Sequence, residues 1–320
     1  MRLGRIGDQA TPSSAIPAIK PMTDREFTLF QTLIFQDAGI YLPEGKKALL
    51  IGRLSRRLRE LRLDSFEAYY RRVVRTDDDE RVHMLDSVCT NETHFFREPQ
   101  HFQFIERQVM PAWRAAAASG SRTRHIRVWS AGCSTGEEPY SLAMMLAHNF
   151  PNTSGWEIEM LATDLSTRAL DQARAGVWPV KKSSEIPDSY LKRFMMKGMR
   201  SQEGRMMART ELRSLIQFQR VNLNSEIYPV RGLFDLIFCR NVLIYFSAES
   251  RARVVNRLLR SLSSTGYLFL GHAETLNSVT DRARSVGPTV YAPIITNHSG
   301  SKSDASARGS LLAGSISTHG

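Results

Sequence analysis

Three cysteines in 320 residues, Cys89, Cys133 and Cys239, exclude a disulfide scaffold. None lies in a C-x-x-C pair, and no His, Asp or Glu is spaced to complete a metal site, so neither zinc nor redox chemistry is suggested. No apolar run approaches the roughly 18 residues that cross a bilayer. The first residues hold no apolar core ahead of a small-residue cleavage site, so no signal peptide and a reducing, cytoplasmic setting are expected. No segment repeats another. What is abundant is positive charge: 43 Lys and Arg against 32 Asp and Glu, a net of +11. Such a balance points to an acidic partner, whether nucleic acid, membrane surface or protein.

The excess is unevenly placed. Residues 46–62 carry seven basic side chains against Glu60 alone, while Asp77, Asp78, Asp79, Glu80, Asp86 and Glu92 follow close behind. A second basic stretch, 192–213, has seven basic residues against Glu203 and Glu211. At helical spacing, Leu50, Ile51, Leu54, Leu58 and Leu61 share one side of 46–62. Lys46, Arg53, Arg56 and Arg57 fall opposite, with Arg59 on the flank. One face should pack inward and the other present cations.

Residues 1–20 lack any period and read as a loose arm. Thr23-Asp24-Arg25-Glu26 is a capping box that starts a helix with Phe27, Phe30, Leu33 and Ile34 on one stripe. Further helices are expected over 46–62, from Asp64-Ser65 and over 79–89, giving an all-helical domain at 21–95. A helical connector, 96–120, leads to a change of pattern. From 121 to 296 short apolar runs alternate with helical periods. Strands are expected at 126–129, 158–162, 215–218, 234–239 and 267–270, with helices at 138–149, 166–175 and 248–262. This predicts an α/β, doubly wound, parallel sheet. Thr289-Val290-Tyr291 suits an antiparallel edge strand, and 192–214 permits a hairpin within a small β-subdomain. The tail, 297–320, has 7 Ser and 4 Gly and is expected to be disordered.

The first strand runs into Ser130-Ala131-Gly132-Cys133-Ser134-Thr135-Gly136-Glu137-Glu138. A glycine-bearing turn before a helix lets a ligand approach the backbone. Two carboxylates there would repel a pyrophosphate but suit an ammonium or sulfonium, and S-adenosylmethionine (SAM) has both. Equally, the two acids could simply favour the helix dipole. Asp164, at the tip of the second strand, can accept hydrogen bonds from ribose hydroxyls. Arg240, Asn241 and Tyr245 follow the strand at 234–239 and should face the same crevice. The cysteines read as small buried hydrophobes rather than nucleophiles.

At this point the motifs T-N-E-T-H-F-F-R-E (90–98), S-T-G-E-E-P-Y-S, A-T-D-L-S, V-N-L, F-C-R-N-V-L-I-Y-F and G-H-A-E (271–274) together resemble the chemotaxis receptor methyltransferase family, CheR. The resemblance covers roughly residues 22–295. It implies a helical N-terminal domain joined to a Rossmann-like SAM-dependent methyltransferase domain with a small β-subdomain insertion. It implies an enzyme that turns glutamate side chains on the cytoplasmic helices of chemoreceptors into methyl esters, leaving S-adenosylhomocysteine, without a metal. Carried over by motif, Asn91, Thr93, Arg97, Glu137, Asp164, Asn222, Leu223, Arg240 and Asn241 would hold SAM, with Glu137 at its methionine part. Arg97 and Tyr245 would stand nearest the transferred methyl. Lys46, Arg53, Arg56, Arg57 and Arg59 would dock the receptor, and the β-subdomain could grip a receptor C-terminal peptide. Family members often carry alanines where this chain has Gly132-Cys133, so small residues should be tolerated there.

Two rival readings fit the sequence less well. A nucleic-acid methyltransferase typically shows Asn/Asp-Pro-Pro-aromatic after the fourth strand, and Asn241-Val242-Leu243-Ile244-Tyr245 has no proline; a Pro-Cys enzyme is disfavoured by Phe238 before Cys239. A non-catalytic SAM-binding adaptor sits poorly with Arg97 and Tyr245. Nucleic acid and membrane insertion are therefore not expected.

Overall fold

A computed structural model describes residues 18–75 and 78–294; the expected arm and tail lie outside them, save for 18–20. Four helices open the chain: α1 (Asp24–Ala38), α2 (Lys47–Glu60), α3 (Phe66–Arg75) and α4 (Asp78–Val88). The capping box forms. Thr23 N–H donates to Glu26 Oε2 at 2.7 Å, and Glu26 N–H to Thr23 Oγ1 at 3.2 Å. Gly39, at φ 70°, stops α1. Phe30, Ile34, Leu54, Leu58, Tyr69 and Met84 are buried together, so the apolar stripes close one small core.

The connector is α5 (Pro99–Phe104), a π turn (Ile105–Val109) and α6 (Met110–Ala118). Strands β1 (His125–Ala131) and β2 (Glu157–Asp164) follow, each leading into a helix, α7 (Glu137–Asn149) and α8 (Thr167–Ala175). An insertion then supplies β3 (Val177–Pro179), a 3-10 turn (Val180–Glu185), α9 (Asp188–Phe194), β4 (Met195–Lys197), β5 (Arg205–Ala208) and α10 (Thr210–Arg213). The main sheet resumes with β6 (Ile216–Arg220), β7 (Phe234–Cys239), α11 (Ala248–Arg260), β8 (Leu262–Leu270), β9 (Ala283–Gly287) and β10 (Val290–Pro293).

The sheet has seven strands in the order β6-β2-β1-β7-β8-β10-β9. β6 to β8 run parallel, and β10 and β9 are antiparallel. Parallel strands covered on both faces read as continuous apolar runs. Here Val128, Leu236 and Phe238 face one core while Trp129, Ile237 and Cys239 face the other.

Two expectations differ. The strand at 290–293 is not the edge, because β9 pairs outside it. β9 offers Arg284 and Ser285 to solvent and so carries no apolar alternation to read. The β-subdomain also begins before 192: β3 pairs with β5, which pairs with β4, in a three-stranded sheet.

The helical domain is stitched to the sheet. Ile40 bridges to Phe246, Tyr41 N–H donates to the Tyr245 carbonyl at 2.8 Å, and Asn222 Nδ2 donates to the Asp37 carbonyl at 2.6 Å. Asp86 of α4 accepts from Thr167 N–H (2.8 Å) and Oγ1 (2.6 Å) at the start of α8.

Candidate active site

The carboxyl ends of β1, β2 and β7 open on a cavity of about 600 Å³, roofed by the helical domain. That is within the size range of small-molecule sites. Asn91, Thr93, Arg97, Asp164, Asn222, Leu223, Arg240, Asn241 and Tyr245 all border it. Nine positions from four sequence motifs thus converge on one space.

Glu137 is the exception. Its carboxylate is buried and turned to Lys182 Nζ (2.5 Å) and Thr135 Oγ1 (2.6 Å), and it does not border the cavity. Its neighbour Glu138 does. One helical step rotates a side chain by about 100°, which a motif shared by two adjacent acids cannot resolve. Glu138 accepts from Ser130 Oγ at 2.7 Å and lies 3.3 Å from Arg240. Burial raises its pKa, with Arg240 and Ser130 pulling against that rise.

Arg240 is itself buried and stands between Glu98 (3.3 Å) and Glu138. It also donates to the Arg97 carbonyl. Burial would raise the Glu98 carboxyl, but Arg240 and His272 outweigh it and hold it low. One guanidinium thus ties two carboxylates together, and of the two only Glu138 borders the cavity. Sequence reasoning missed Glu98; its place directly after Arg97 was the only signal.

Asp164 accepts from Ser134 N–H (2.8 Å) and Ser166 N–H (2.9 Å), which aims it between the two strand-end loops. Burial raises its pKa against those two bonds. Ser166 caps α8 through Ala169 N–H at 3.2 Å, so Asp164 is not needed as the cap. The loop after β7 turns on Asn241, at φ 59°. Glu274 holds it there, accepting from Asn241 N–H (2.9 Å), Ile244 N–H (3.2 Å) and Gly271 N–H (2.7 Å). The G-H-A-E segment was visible in the sequence; its anchoring role was not.

Gly132 has φ +92°, and a Cβ there would lie 2.4 Å from Val242 Cγ2. The expected tolerance for small residues therefore fails at 132, where alanine would be strained. The same absence of a side chain leaves the cavity wall as bare backbone.

The basic residues of α2 divide. Lys46 and Arg53 border the cavity, and Arg53 donates to the Val88 carbonyl and to Thr90 Oγ1 (2.7 Å). Arg56 and Arg59 are exposed. Arg57 is not a free cation: it pairs with buried Glu80 at 2.7 Å and with Glu60 at 3.2 Å. Among the described residues no cluster of three or more His, Cys, Asp or Glu could hold a metal ion, and no helix is long and apolar enough to cross a membrane.

The residues present fit SAM. Carboxylates at Glu138 and Asp164 suit its cationic and hydroxyl-bearing parts, and the bare backbone at Gly132 leaves room for close approach.

Comparison with known proteins agrees. A family model described as "CheR methyltransferase, SAM binding domain" matches residues 91–292, and one described as "CheR methyltransferase, all-alpha domain" matches 25–89. "Chemotaxis protein methyltransferase 2" of Pseudomonas aeruginosa is 36% identical over 271 residues, 85% of this chain and 94% of that one. The "Chemotaxis protein methyltransferase" of Salmonella typhimurium is 36% identical over 275 residues, and that of Escherichia coli 36% over 273. Each of these two alignments covers 85% of this chain and 91% of the relative. A helical domain of the matching kind, a SAM-sized cavity at its junction with a doubly wound sheet, and these alignments lead to one conclusion: the chain belongs to the CheR family of SAM-dependent methyltransferases.

Proposed function

We propose that this chain methylates glutamate side-chain carboxylates in the cytoplasmic helical region of chemoreceptors, producing glutamate methyl esters and S-adenosylhomocysteine. The observation that carries this reading is a single cavity at the domain seam that brings the carboxylates of Glu138 and Asp164 together with Arg97 and Tyr245.

Bound SAM supplies an electrophilic sulfonium methyl. The acceptor needs no general base, because a glutamate with an ordinary pKa near 4.3 is ionised at neutral pH. The protein's work is to align and desolvate that carboxylate. Arg97 can orient it through a bidentate contact. A grip so tight that it favoured the ground state would slow transfer, so a half-exposed arginine suits the task better than a sequestered one. Tyr245 borders the same cavity and can shape the space around the acceptor.

Docking follows from what surrounds the opening. Lys46 and Arg53 sit on the cavity wall, with exposed Arg56 and Arg59 further along α2, and together they suit an acidic helix. Tyr41, Leu49 and Ile244 also line the cavity while remaining 56%, 41% and 48% exposed. A substrate helix with apolar residues one turn from its glutamate would cover them. A receptor C-terminal peptide would add as a strand at an outer edge of the β3–β5–β4 sheet.

The test incubates the protein with labelled SAM and receptor-containing membranes and scores base-labile methyl ester. Arg97→Ala should still bind SAM and lose about a hundredfold in rate. Tyr245→Phe should lose roughly tenfold. Unchanged transfer in both would remove their catalytic assignment. Label in RNA instead would favour a nucleic-acid enzyme, and SAM binding with no transfer an adaptor.

A further inference from the structure

The start of the insertion, β3 and the 3-10 turn that follows it, lies beside the segments that wall the cavity without itself bordering the cavity. Its contacts are with the two segments that do border it. Lys182 Nζ donates to the Thr93 carbonyl at 2.8 Å and to Glu137 at 2.5 Å. Glu185 accepts from Phe95 N–H at 2.8 Å and lies 3.3 Å from His94 Nδ1. Trp178 Nε1 donates to the Thr135 carbonyl at 3.2 Å, and its ring meets Phe95 edge-on at 5.0 Å.

These contacts converge on two stretches, through main-chain atoms of Thr93, Phe95 and Thr135 and the side chains of His94 and Glu137. One is the junction segment 91–97, which brings Asn91, Thr93 and Arg97 to the cavity. The other is the loop after β1, which brings Gly132, Ser134 and Glu138. Between them the direct polar link is Ser134 Oγ to the Asn91 carbonyl at 3.0 Å. The junction segment belongs to no helix or strand, so side-chain tethers must fix what a hydrogen-bonded element would otherwise fix.

We propose that Lys182 is a positioning residue for methyl transfer, with Glu185 as its second anchor. By joining the Thr93 carbonyl to Glu137 it sets the separation of the two cavity walls, and with it the affinity for SAM and the station of Arg97. The choice of a cation is physical. Glu137 is 1% exposed, and an unpaired carboxylate there would turn away or draw in water. A lysine has three donors and can satisfy a carboxylate and a carbonyl at once. The inference rests on the methyltransferase reading of the cavity and assigns that site two residues lying outside it.

The experiment uses the full chain and three variants: Lys182→Met, Lys182→Arg and Glu185→Ala. SAM affinity is measured by calorimetry without receptor, and hydrogen exchange of the 91–97 segment is followed in parallel. Lys182→Met should weaken SAM binding about tenfold and speed exchange in 91–97, with receptor KM unchanged. Lys182→Arg should restore most of the affinity. Glu185→Ala, which removes no buried ion pair, should show the same pattern at roughly threefold, so the inference stands even if Lys182→Met folds poorly. SAM affinities within twofold of the parent in both Lys182→Met and Glu185→Ala would overturn it, as would faster exchange spread evenly over the chain. A parent protein that failed to bind SAM would instead overturn the methyltransferase reading.

Discussion

His101 shows how much a single residue can depend on its surroundings. In the sequence it is one of eight histidines, two residues after Pro99, with nothing to single it out. In the fold it is fully buried, its Nε2 is 2.9 Å from Thr289 Oγ1, and it packs edge-on against Phe238 and Phe269. Burial, with the nearby Arg240 cation, lowers its pKa to about 4. The unfolded imidazole titrates near 6.5. Its folded pKa is the lower one, so its contribution to stability is complete above pH 6.5 and is lost as pH falls towards 4. The loss is on the order of 3 kcal/mol across that window. Thermal melts from pH 7 to pH 4 should therefore fall more steeply for the parent than for His101→Gln; parallel curves would refute the assignment. Cys133 and Cys239 are buried as expected, whereas Cys89 is half-buried and borders the cavity. Burial pushes the thiols of Cys133 and Cys239 well up, and that of Cys89 up to about 12, so none is a ready thiolate.

At the scale of the element, α2 shows what periodicity can and cannot report. Its inward face was legible: Leu50, Leu54 and Leu58 are buried as the spacing requires. Its outward face was not, because a helical projection of one segment contains no neighbours. Glu80 reaches in from α4 and takes Arg57, while the Val88 carbonyl and Thr90 take Arg53. The two groups of cations should separate experimentally. Arg57→Ala strands the buried Glu80 and should cost about 3 kcal/mol of stability while leaving receptor KM alone. Reversing Arg56 and Arg59 together costs only the exposed Arg56–Glu60 pair and should lower stability by less than about 1 kcal/mol, while raising receptor KM about tenfold, more at low salt than at high. The opposite pattern would return Arg57 to the docking face. β9 failed to register for a related reason: an edge strand with one wet face and no apolar alternation looks like a loop until β10 is beside it.

For the molecule as a whole, the decisive feature is the seam between the helical domain and the sheet. Gly39 sits on it at φ +70°, and a Cβ there would come within 2.7 Å of Asn224 Oδ1. Gly39→Ala should therefore strain the turn by about 1–2 kcal/mol and lift the roof of the cavity. SAM affinity should fall while the helical circular dichroism stays unchanged; an unaltered affinity would mean that the seam tolerates the shift. The net +11 also reads differently at this scale. Much of the α2 charge is already paired within the chain, Arg57 with buried Glu80 and, at the surface, Arg56 and Arg57 with Glu60 and Lys47 with Asp24. Fewer cations are therefore unpaired than the sequence count implies.

The sequence by itself determined most element types, the order of the two domains, the family and, of the ten residues expected around cofactor and methyl, the nine that border the cavity. Each of these is local: a capping box, a period of 3.6 or 2, or a motif whose residues lie a few positions apart. Only the tertiary structure decided which of Glu137 and Glu138 meets the cavity, that Arg57 is an internal ion pair, that Gly132 cannot carry a side chain, and that Lys182 and Glu185 tie the insertion to the cavity walls. The physical reason is common to all four. Each depends on atoms 20 or more positions away in the chain, brought within about 3 Å by packing, and no pattern along the chain encodes that distance.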